Sequence, residues 1–226
     1  MTPLRIQFPT TWPGWTTPEC TLTPILTDPG HDLPLHDKPV TVSVDPKTTA
    51  DYYSDSPVFR AHYIRPTGSI PVALKFAMRD DLISDLIEEA NVYTGALEPL
   101  QGETVPNCYG LYVGTMNGQT VACLVLEYWG ECLRRPFDRL SVELRLRILQ
   151  QLGEIHKRGL LHGDFAERNV LEYNGDIRII DFDQAIHHEC DCDMDFRPGQ
   201  KLPDATNFGC PQLWEICRYR MRLWKS

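Results

Sequence analysis

The sequence contains no apolar run of membrane-spanning length and no cluster of basic residues. A helix needs about 20 consecutive apolar residues to cross a bilayer, and nucleic-acid-binding surfaces are rich in lysine and arginine. This chain of 226 residues has 22 Lys and Arg residues against 31 Asp and Glu residues, a formal net charge of −9. We therefore expect neither a membrane nor a nucleic acid as a partner.

The first residues also lack the basic and then apolar pattern of a secretory signal peptide. We therefore expect an intracellular protein, in the cytoplasm by preference and with the nucleus as the alternative. The length is sufficient for one compact, two-lobed domain with a sizeable core.

Eight cysteines are present, and one of them, Cys123, lies within an apolar run. Such placement favours reduced, buried thiols over disulfides. The segment HHECDC, with two later cysteines, also suggests a zinc site, but its spacing matches none of the usual knuckles. A solvated acidic loop is the preferred interpretation, and zinc is the alternative for these residues: His187, His188, Cys190, Cys192, Cys210 and Cys217.

The segment HGDFAERNVLEYNGDIRIIDFD, at residues 162–183, carries the most informative pattern. Asn169 follows Asp164 by five positions, and Asp181 comes after two short apolar runs that an Asn-Gly pair separates. An Asn-Gly pair between such runs predicts a β-hairpin. Because a hairpin returns the chain to its starting side, we expect Asp181 to lie near Asp164 and Asn169.

Carboxylate and amide oxygens of this kind suit Mg²⁺, which accompanies ATP in phosphoryl transfer. The segment resembles the HRDxxxxN and DFG motifs of the protein-kinase-like superfamily, here HGDFAERN and DFD. The resemblance implies that Asp164 orients or deprotonates the acceptor hydroxyl, and that Asn169 and Asp181 hold the metal. It also implies that Arg168 reaches towards the transferred phosphate. The alternative to this kinase-like site is that the acidic residues are ordinary acids at the ends of a hairpin.

Lys75 interrupts an apolar strand, PVALKFA at residues 71–77, which resembles the VAIK strand of kinases. A lysine there is unfavourable unless it is paired. Residues 80–97 show a helical stripe of apolar positions. Glu89 falls at the edge of this stripe, whereas Glu88 falls opposite its centre. We predict that Glu89 holds Lys75 in position for contact with the ATP phosphates. The alternative is that the glutamate is solvated and that the lysine snorkels, extending its ammonium group into the solvent.

Residues 121–126, VACLVL, predict a buried strand that runs into Glu127. The resemblance makes the end of this strand the hinge, where adenine bonds to backbone groups near Glu127 and Trp129. It also places three apolar side chains around the adenine, with Leu126 as gatekeeper, Ala73 as part of the roof and Leu171 as part of the floor. Further on, Ser141 predicts the start of a helix that continues to Lys157, before Gly159.

The resemblance implies an α+β, bilobal protein-kinase-like fold. Its N-lobe is expected to be an antiparallel sheet plus one helix at residues 40–128. A reduced, mainly helical C-lobe follows at 129–226 and includes a helix from Pro211 to Trp224. Residues 1–39 hold many prolines and are interpreted as an extended segment that wraps the domain, with Trp12 and Trp15 as anchors.

Several features depart from the kinase pattern. The expected phosphate loop reads DYYSDSPVFRAHY at residues 51–63, without a glycine. Gly163 replaces the arginine of HRD, as in aminoglycoside- and choline-kinase-like phosphotransferases and fungal kinase-like sequences that this chain resembles. Asp183 replaces the glycine of DFG, and no APE motif follows.

Three functions are compatible with these features. The leading prediction is an ATP- and Mg²⁺-dependent kinase that acts on a hydroxyl of a protein serine or threonine, or of a small molecule. The second is a pseudokinase that serves as a nucleotide-binding or scaffold protein, suggested by the altered phosphate loop and short C-lobe. The third is an interaction module unrelated to nucleotides.

Overall fold

The computed structural model of the chain describes residues 2–12, 15–26, 40–47, 54–65 and 68–225. The chain divides into two compact units. The first comprises Met1–Gly95 and Asn107–Tyr128, and the second comprises Ala96–Pro106 and Trp129–Ser226. The chain thus leaves the first unit, returns to it and leaves it again after Tyr128.

Seven described strands form a closed barrel in the first unit, in the order β1-β2-β6-β7-β5-β4-β3. Neighbouring strands are antiparallel, except for the parallel pair of β1 and β3 that closes the barrel. The strands are β1 Leu4–Gln7, β2 Glu19–Leu26, β3 Val40–Val44, β4 Val58–Arg65, β5 Gly68–Ala77, β6 Cys108–Met116 and β7 Gln119–Glu127.

Two of these strands, β1 and β2, come from the proline-rich segment that the sequence predicts to be extended. Residues 27–39 of that segment lie outside the described residues. Trp12 and Trp15 pack in an aromatic group with Phe8, Phe59 and Phe76. Trp12 also donates a hydrogen bond from Nε1 to the carbonyl oxygen of Pro46, at 3.2 Å. Both tryptophans therefore attach the first residues to the barrel core.

Helix α1, Asp80–Thr94, packs against β5, β6 and β7. Its buried residues include Leu86, Ala90 and Tyr93, which lie at helical spacing. The helix ends three residues before the predicted Leu97. The reason is local, because Gly95 adopts φ −106° and ψ −104°, outside the helical region.

The second unit contains α2, Val142–Lys157, which begins at the predicted Ser141 cap. The Ser141 hydroxyl accepts a hydrogen bond from the N–H of Leu144 at 3.2 Å. Gly159 follows the helix with φ 77°, a conformation that ends helices at little cost when the residue is glycine.

Five short strands complete this unit: β8 Glu131–Cys132, β9 Leu160–Leu161, β10 Val170–Tyr173, β11 Asp176–Ile179 and β12 Ile186–His187. The predicted hairpin is confirmed as β10 and β11, which pair in register through Tyr173 and Asp176. Strand β8 extends this pair on the β10 side, and β9 pairs separately with β12.

The C-terminal helix is shorter than the predicted Pro211–Trp224. Helix α3, Pro211–Glu215, continues as a π-helical turn, Ile216–Arg220. The chain turns away afterwards because Arg222 adopts a left-handed φ of 44° and Lys225 bonds to the carbonyl oxygen of Gln200. The fold is α+β, as predicted, but the described residues contain more strand and less helix than the sequence suggests for the second half.

No helix in the described ranges is both long and apolar enough to span a bilayer.

Candidate functional site

The predicted pair of Lys75 and Glu89 is confirmed as an ion pair within the first unit. The Nζ of Lys75 lies 2.7 Å from Oε2 of Glu89, and the two side chains are 17% and 1% exposed. Glu88, the alternative partner, is exposed. A carboxylate this deeply buried requires a charged or hydrogen-bonding partner, so the pair fixes the position of the ammonium group.

Strand β5 explains why Lys75 faces the helix rather than the core. Val72, Leu74 and Phe76 belong to the barrel core, and the residues between them face the opposite side because strands alternate. Ala73 lies opposite Leu126 of β7 in the same register. The predicted roof, gatekeeper and phosphate-binding residues of this unit therefore share one outer face of the barrel.

The end of β7 is held by Asn107. The carboxylate of Glu127 accepts hydrogen bonds from the backbone N–H of Asn107 at 3.2 Å and from its Nδ2 at 2.8 Å. The N–H of Glu127 in turn donates to the carbonyl oxygen of Asn107 at 2.8 Å. These three hydrogen bonds hold the end of β7 against the segment that precedes β6.

In the second unit, Leu171 lies within the hairpin sheet, and Trp129 lies beside it. The guanidinium of Arg178 stacks over the Trp129 ring at 4.4 Å, and Leu171 is buried. Arg178 also donates to the carbonyl oxygen of Gly102 at 2.6 Å. These contacts attach the segment that follows β7 to the rest of the second unit.

The loop from His162 to Asn169 begins with a buried imidazole. The Nε2–H of His162 donates to the carbonyl oxygen of Ile180 at 2.9 Å. Its ring lies 4.9 Å from that of Phe182. Burial lowers the pKa of His162 below its ordinary value, against a smaller opposite effect of the Ile180 hydrogen bond. The neutral ring is thus the form that ties the loop to the segment before Asp181.

Gly163 has a positive φ of 81°, and a Cβ atom here would lie 2.0 Å from the carbonyl oxygen of Gln184. Real Cβ atoms do not approach a backbone oxygen this closely. The structure therefore gives a physical reason for glycine where the kinase motif has arginine.

Asp164 is oriented by two neighbours in the loop. Its Oδ2 accepts a hydrogen bond from the guanidinium of Arg168 at 2.5 Å, and both side chains are partly exposed. The Nδ2 of Asn169 donates to the carbonyl oxygen of Asp164 at 2.9 Å. Asn169 itself is 3% exposed. Arg168 therefore holds the carboxylate of Asp164, and Asn169 holds its backbone.

The hairpin brings Asp181 back to this loop. Asn174 and Gly175 have φ values of 53° and 86°, as a two-residue type I′ turn requires. The N–H of Ile180 donates to the carbonyl oxygen of Asn169 at 3.0 Å. Asp181, with φ 71°, therefore leaves the strand immediately beside Asn169. The predicted proximity of Asp164, Asn169 and Asp181 is present in the second unit.

These side chains fit a magnesium ion by their chemistry. Because the Nδ2 of Asn169 is bonded to the loop backbone, its Oδ1 is the atom that can serve as a ligand. The carboxylate of Asp181 supplies a second hard oxygen donor. Mg²⁺ is commonly bound by one or two carboxylates together with phosphate oxygens and water.

Two residues that support this loop were not identified from the sequence. The carboxylate of Glu167 accepts hydrogen bonds from the N–H of Phe137 at 2.9 Å and from the guanidinium of Arg220 at 3.0 Å. Arg220 also donates to the carbonyl oxygen of Phe165. Nothing in the sequence marks Arg220, because it comes from the C-terminal helical segment.

A cavity of about 340 Å³ lies in the second unit next to this loop. It is bounded by α2, by the start of the loop and by α3 with its π-helical turn. Its lining residues include Leu152, Leu161, Phe165, Gln212, Ile216 and Tyr219. The cavity thus lies between the start of the loop and the C-terminal helical segment, and Arg220 is among the residues that line it.

Residues 135–196 match the family model of the RIO domain. The chain is also 34% identical over 101 residues to the KEOPS complex subunit Bud32 of Pyrococcus abyssi (strain GE5 / Orsay). The aligned region amounts to 42% of each protein, so the chain spans less than half the length of this curated relative. The residues matched to the RIO domain include Asp164, Asn169 and Asp181.

Proposed function

We propose, because this chain belongs to the protein-kinase-like superfamily, that it is an ATP-dependent phosphotransferase that acts on a hydroxyl group. The observation that carries the proposal is the closed arrangement of loop and hairpin in the second unit. The Ile180–Asn169 backbone hydrogen bond returns Asp181 to the loop that holds Asp164 and Asn169. Such a set of oxygen-bearing groups matches the needs of phosphoryl transfer.

In this proposal the two units are the lobes of a bilobal kinase fold. The first unit is the N-lobe, with a sheet closed into a barrel and α1 as its helix. The second unit is the reduced C-lobe. In the first unit, the carbonyl oxygen of Glu127 would bind adenine, with Ala73 and Leu126 as apolar contacts. In the second unit, the resemblance assigns adenine-binding roles to the backbone N–H of Trp129 and to Leu171.

Each charged residue then has a defined role. Lys75, fixed by Glu89, binds phosphate oxygens of ATP. Asn169 and Asp181 hold Mg²⁺, which supplies charge neutralisation at the phosphates when it is bound. The acceptor hydroxyl gives its proton to Asp164 as its oxygen bonds to the γ-phosphorus, and the bond from that phosphorus to the ADP oxygen breaks. Arg168 keeps the Asp164 carboxylate oriented and faces the transferred group.

A pseudokinase is the second candidate, and one observation favours it. The segment before β4 lacks glycine, and the Ser54 hydroxyl in it already accepts a hydrogen bond from the N–H of Ser56 at 3.2 Å. Asp55, between them, pairs with Arg79 at 3.0 Å and adds negative charge. This segment therefore offers less support to phosphates than a glycine loop does. Residues 48–53, within the same segment, lie outside the described residues.

The test is transfer of labelled γ-phosphate from ATP to the protein itself, to a mixed protein acceptor or to water. We expect Mg²⁺-dependent turnover that Asp164→Asn reduces by about 100-fold or more, because general bases contribute on this scale. Asp176→Asn, at the exposed turn end of the same hairpin, is the matched control and should retain activity. Turnover that survives Asp164→Asn would contradict the assignment of the base.

Binding is measured separately by the thermal stability of the protein with ATP and Mg²⁺. A ligand at about a hundred times its dissociation constant adds about 2.7 kcal/mol, or roughly 5 to 10 °C at this chain length. We expect Asp181→Asn to lose this increase and Asp164→Asn to keep it. The increase without any turnover would favour the pseudokinase, and no increase in any variant would contradict nucleotide binding.

A further inference from the structure

Two imidazoles and two thiols of the second unit converge at a place that phosphoryl transfer does not use. Each of His156, His188, Cys190 and Cys210 places one nitrogen or sulfur atom within 4.8 Å of the corresponding atoms of the other three. The Sγ of Cys210 lies 3.6 Å from Nδ1 of His156 and 3.4 Å from Nε2 of His188.

These distances are those of ligands around one metal ion. Zinc binds thiolate sulfur at about 2.3 Å and imidazole nitrogen at about 2.0 Å in a tetrahedron. From such bond lengths, neighbouring ligand atoms lie about 3.3 to 3.8 Å apart. The two distances from Cys210 are within this range, and the outer limit of 4.8 Å requires shifts of about 1 Å at most.

The cluster is built by backbone contacts that do not depend on its own side chains. The N–H of His188 donates to the carbonyl oxygen of Gly159 at 2.9 Å, which holds His188 near the end of α2 and His156. Gly209, with φ 82°, packs so closely that a Cβ atom would lie 2.6 Å from the carbonyl oxygen of Asp191. This close contact between Gly209 and Asp191 places the neighbouring Cys210 beside Cys190.

The protein supplies all four ligands, and the site is largely enclosed. His156 and Cys210 are buried, whereas His188 and Cys190 are partly buried. The N–H of Leu213 donates to the Sγ of Cys210 at 3.5 Å, which orients this sulfur within the cluster. Closed sites with two cysteines and two histidines are typical of structural zinc, whereas catalytic zinc keeps an open position.

We propose that His156, His188, Cys190 and Cys210 bind a structural zinc ion. Three of these residues are among those that suggested zinc in the sequence, and His156 is the fourth ligand. The other three residues named there, His187, Cys192 and Cys217, do not belong to the cluster. Knuckle spacing is missing from the sequence because the ligands come from α2, from the segment after β12 and from the start of α3.

The ion would join the segments around the catalytic loop. His156 precedes the loop, His188 and Cys190 follow Asp181, and Cys210 begins the C-terminal helix. One ion would therefore connect both ends of the loop–hairpin segment to α3. Its role would be to hold this segment in place rather than to take part in phosphoryl transfer.

The first experiment measures the metal content of the chain, produced without a histidine tag and dialysed in metal-free buffer. We expect about one zinc ion per chain. Replacement by Co²⁺ should give thiolate-to-cobalt charge transfer in the near ultraviolet and the strong visible bands of four-coordinate cobalt. The alternative is a network of thiol–imidazole hydrogen bonds, which would give neither the metal nor the bands and would overturn the proposal.

Two matched pairs of variants locate the site. His188→Ala and Cys190→Ser should lose the stoichiometric metal and the cobalt–thiolate absorption. His187→Ala and Cys132→Ser, which change exposed residues of the same types outside the cluster, should retain both. Metal retained equally in all four variants would overturn the assignment of ligands. If the ligand variants do not fold, the cobalt spectrum of the unaltered chain still decides whether two thiolates and four ligands are present.

Discussion

At the scale of single residues, the ion pair of Lys75 and Glu89 is the feature that sequence reasoning identified most directly. A charged residue inside an apolar strand requires a partner, and the helical stripe distinguishes Glu89 from Glu88. Both arguments depend only on local periodicity. The roles of these residues in ATP binding stay predictions.

We expect Glu89→Gln to lower the free energy of unfolding by about 3 kcal/mol, near the lower limit for breaking a buried ion pair. The change removes the negative charge that lies 2.7 Å from Nζ of Lys75. Glu88→Gln, on the exposed face of the same helix, should change stability by less than about 0.5 kcal/mol. Chemical denaturation of the two variants gives the comparison, and equal values would contradict a stabilising role of the pair.

Gly163 gives a second prediction at this scale. Gly163→Ala should lower the free energy of unfolding by about 3 kcal/mol or more, because positive φ is strained for alanine and its Cβ would meet the carbonyl oxygen of Gln184. Gly199→Ala is the control, since Gly199 has φ 72° but nothing within 4 Å of its Cβ position. That change should cost about 1 kcal/mol, from backbone strain alone. Denaturation curves in which both variants lose the same stability would exclude the close contact as the reason for glycine.

At the scale of elements, the hairpin and α2 could be predicted because their signals are local. An Asn-Gly pair specifies the turn, and Ser141 supplies the helix cap. The end of the C-terminal helix could not be predicted in the same way. It depends on the left-handed conformation of Arg222 and on the pairing of Lys225 with Gln200, a contact between distant parts of the chain.

The C-terminal helical segment also supports the loop from His162 to Asn169, and this yields a third prediction. Arg220→Ala removes the donors to the carbonyl oxygen of Phe165 and to Glu167. We expect faster amide hydrogen exchange at residues 164–169. In the proposed kinase we also expect a kcat lower by about tenfold to a hundredfold, with little change in the KM for ATP.

Arg218→Ala is the control for this change. The guanidinium of Arg218 stacks over the rings of Trp214 and Tyr219 at 4.9 Å, on the same helical turn. It donates no described hydrogen bond to the loop. If both variants accelerate exchange in the loop to the same extent, Arg220 has only a general structural role.

At the scale of the whole molecule, the sequence predicted a mixed α+β chain but not the closure of its sheet. Closure requires β1 and β2 to pair with strands that lie far away in the chain, and the many prolines near them obscure the strand pattern. For the same reason the sequence suggested zinc only as the alternative for His188, Cys190 and Cys210, and did not point to His156. Local spacing carries no information on ligands that separate elements bring together.

Stability of the whole chain should depend on pH in a defined direction. Burial lowers the pKa of His162 below its ordinary value, against a smaller opposite effect of its hydrogen bond to Ile180. The unfolded chain therefore binds a proton at this residue before the folded chain does. The free energy of unfolding should accordingly be constant above about pH 7 and fall as the pH decreases below about 6.5.

Denaturation at a series of pH values checks this expectation. His162→Gln keeps a donor for the carbonyl oxygen of Ile180 and should reduce the loss of stability between pH 7 and 5. His187→Gln, a change at an exposed position, should leave the pH dependence as it is. A flat profile in the unaltered chain would mean that the buried imidazole of His162 does not resist protonation.

The barrel described above also constrains how the chain folds during synthesis. Strand β2 pairs with β6, and β7 ends only at Glu127, so the barrel cannot close until more than half of the chain has left the ribosome. Contacts between such distant segments slow folding. Until then the early strands have unpaired edges, which are prone to association with other chains. The first unit is therefore the part of the molecule for which we expect the greatest need of chaperones.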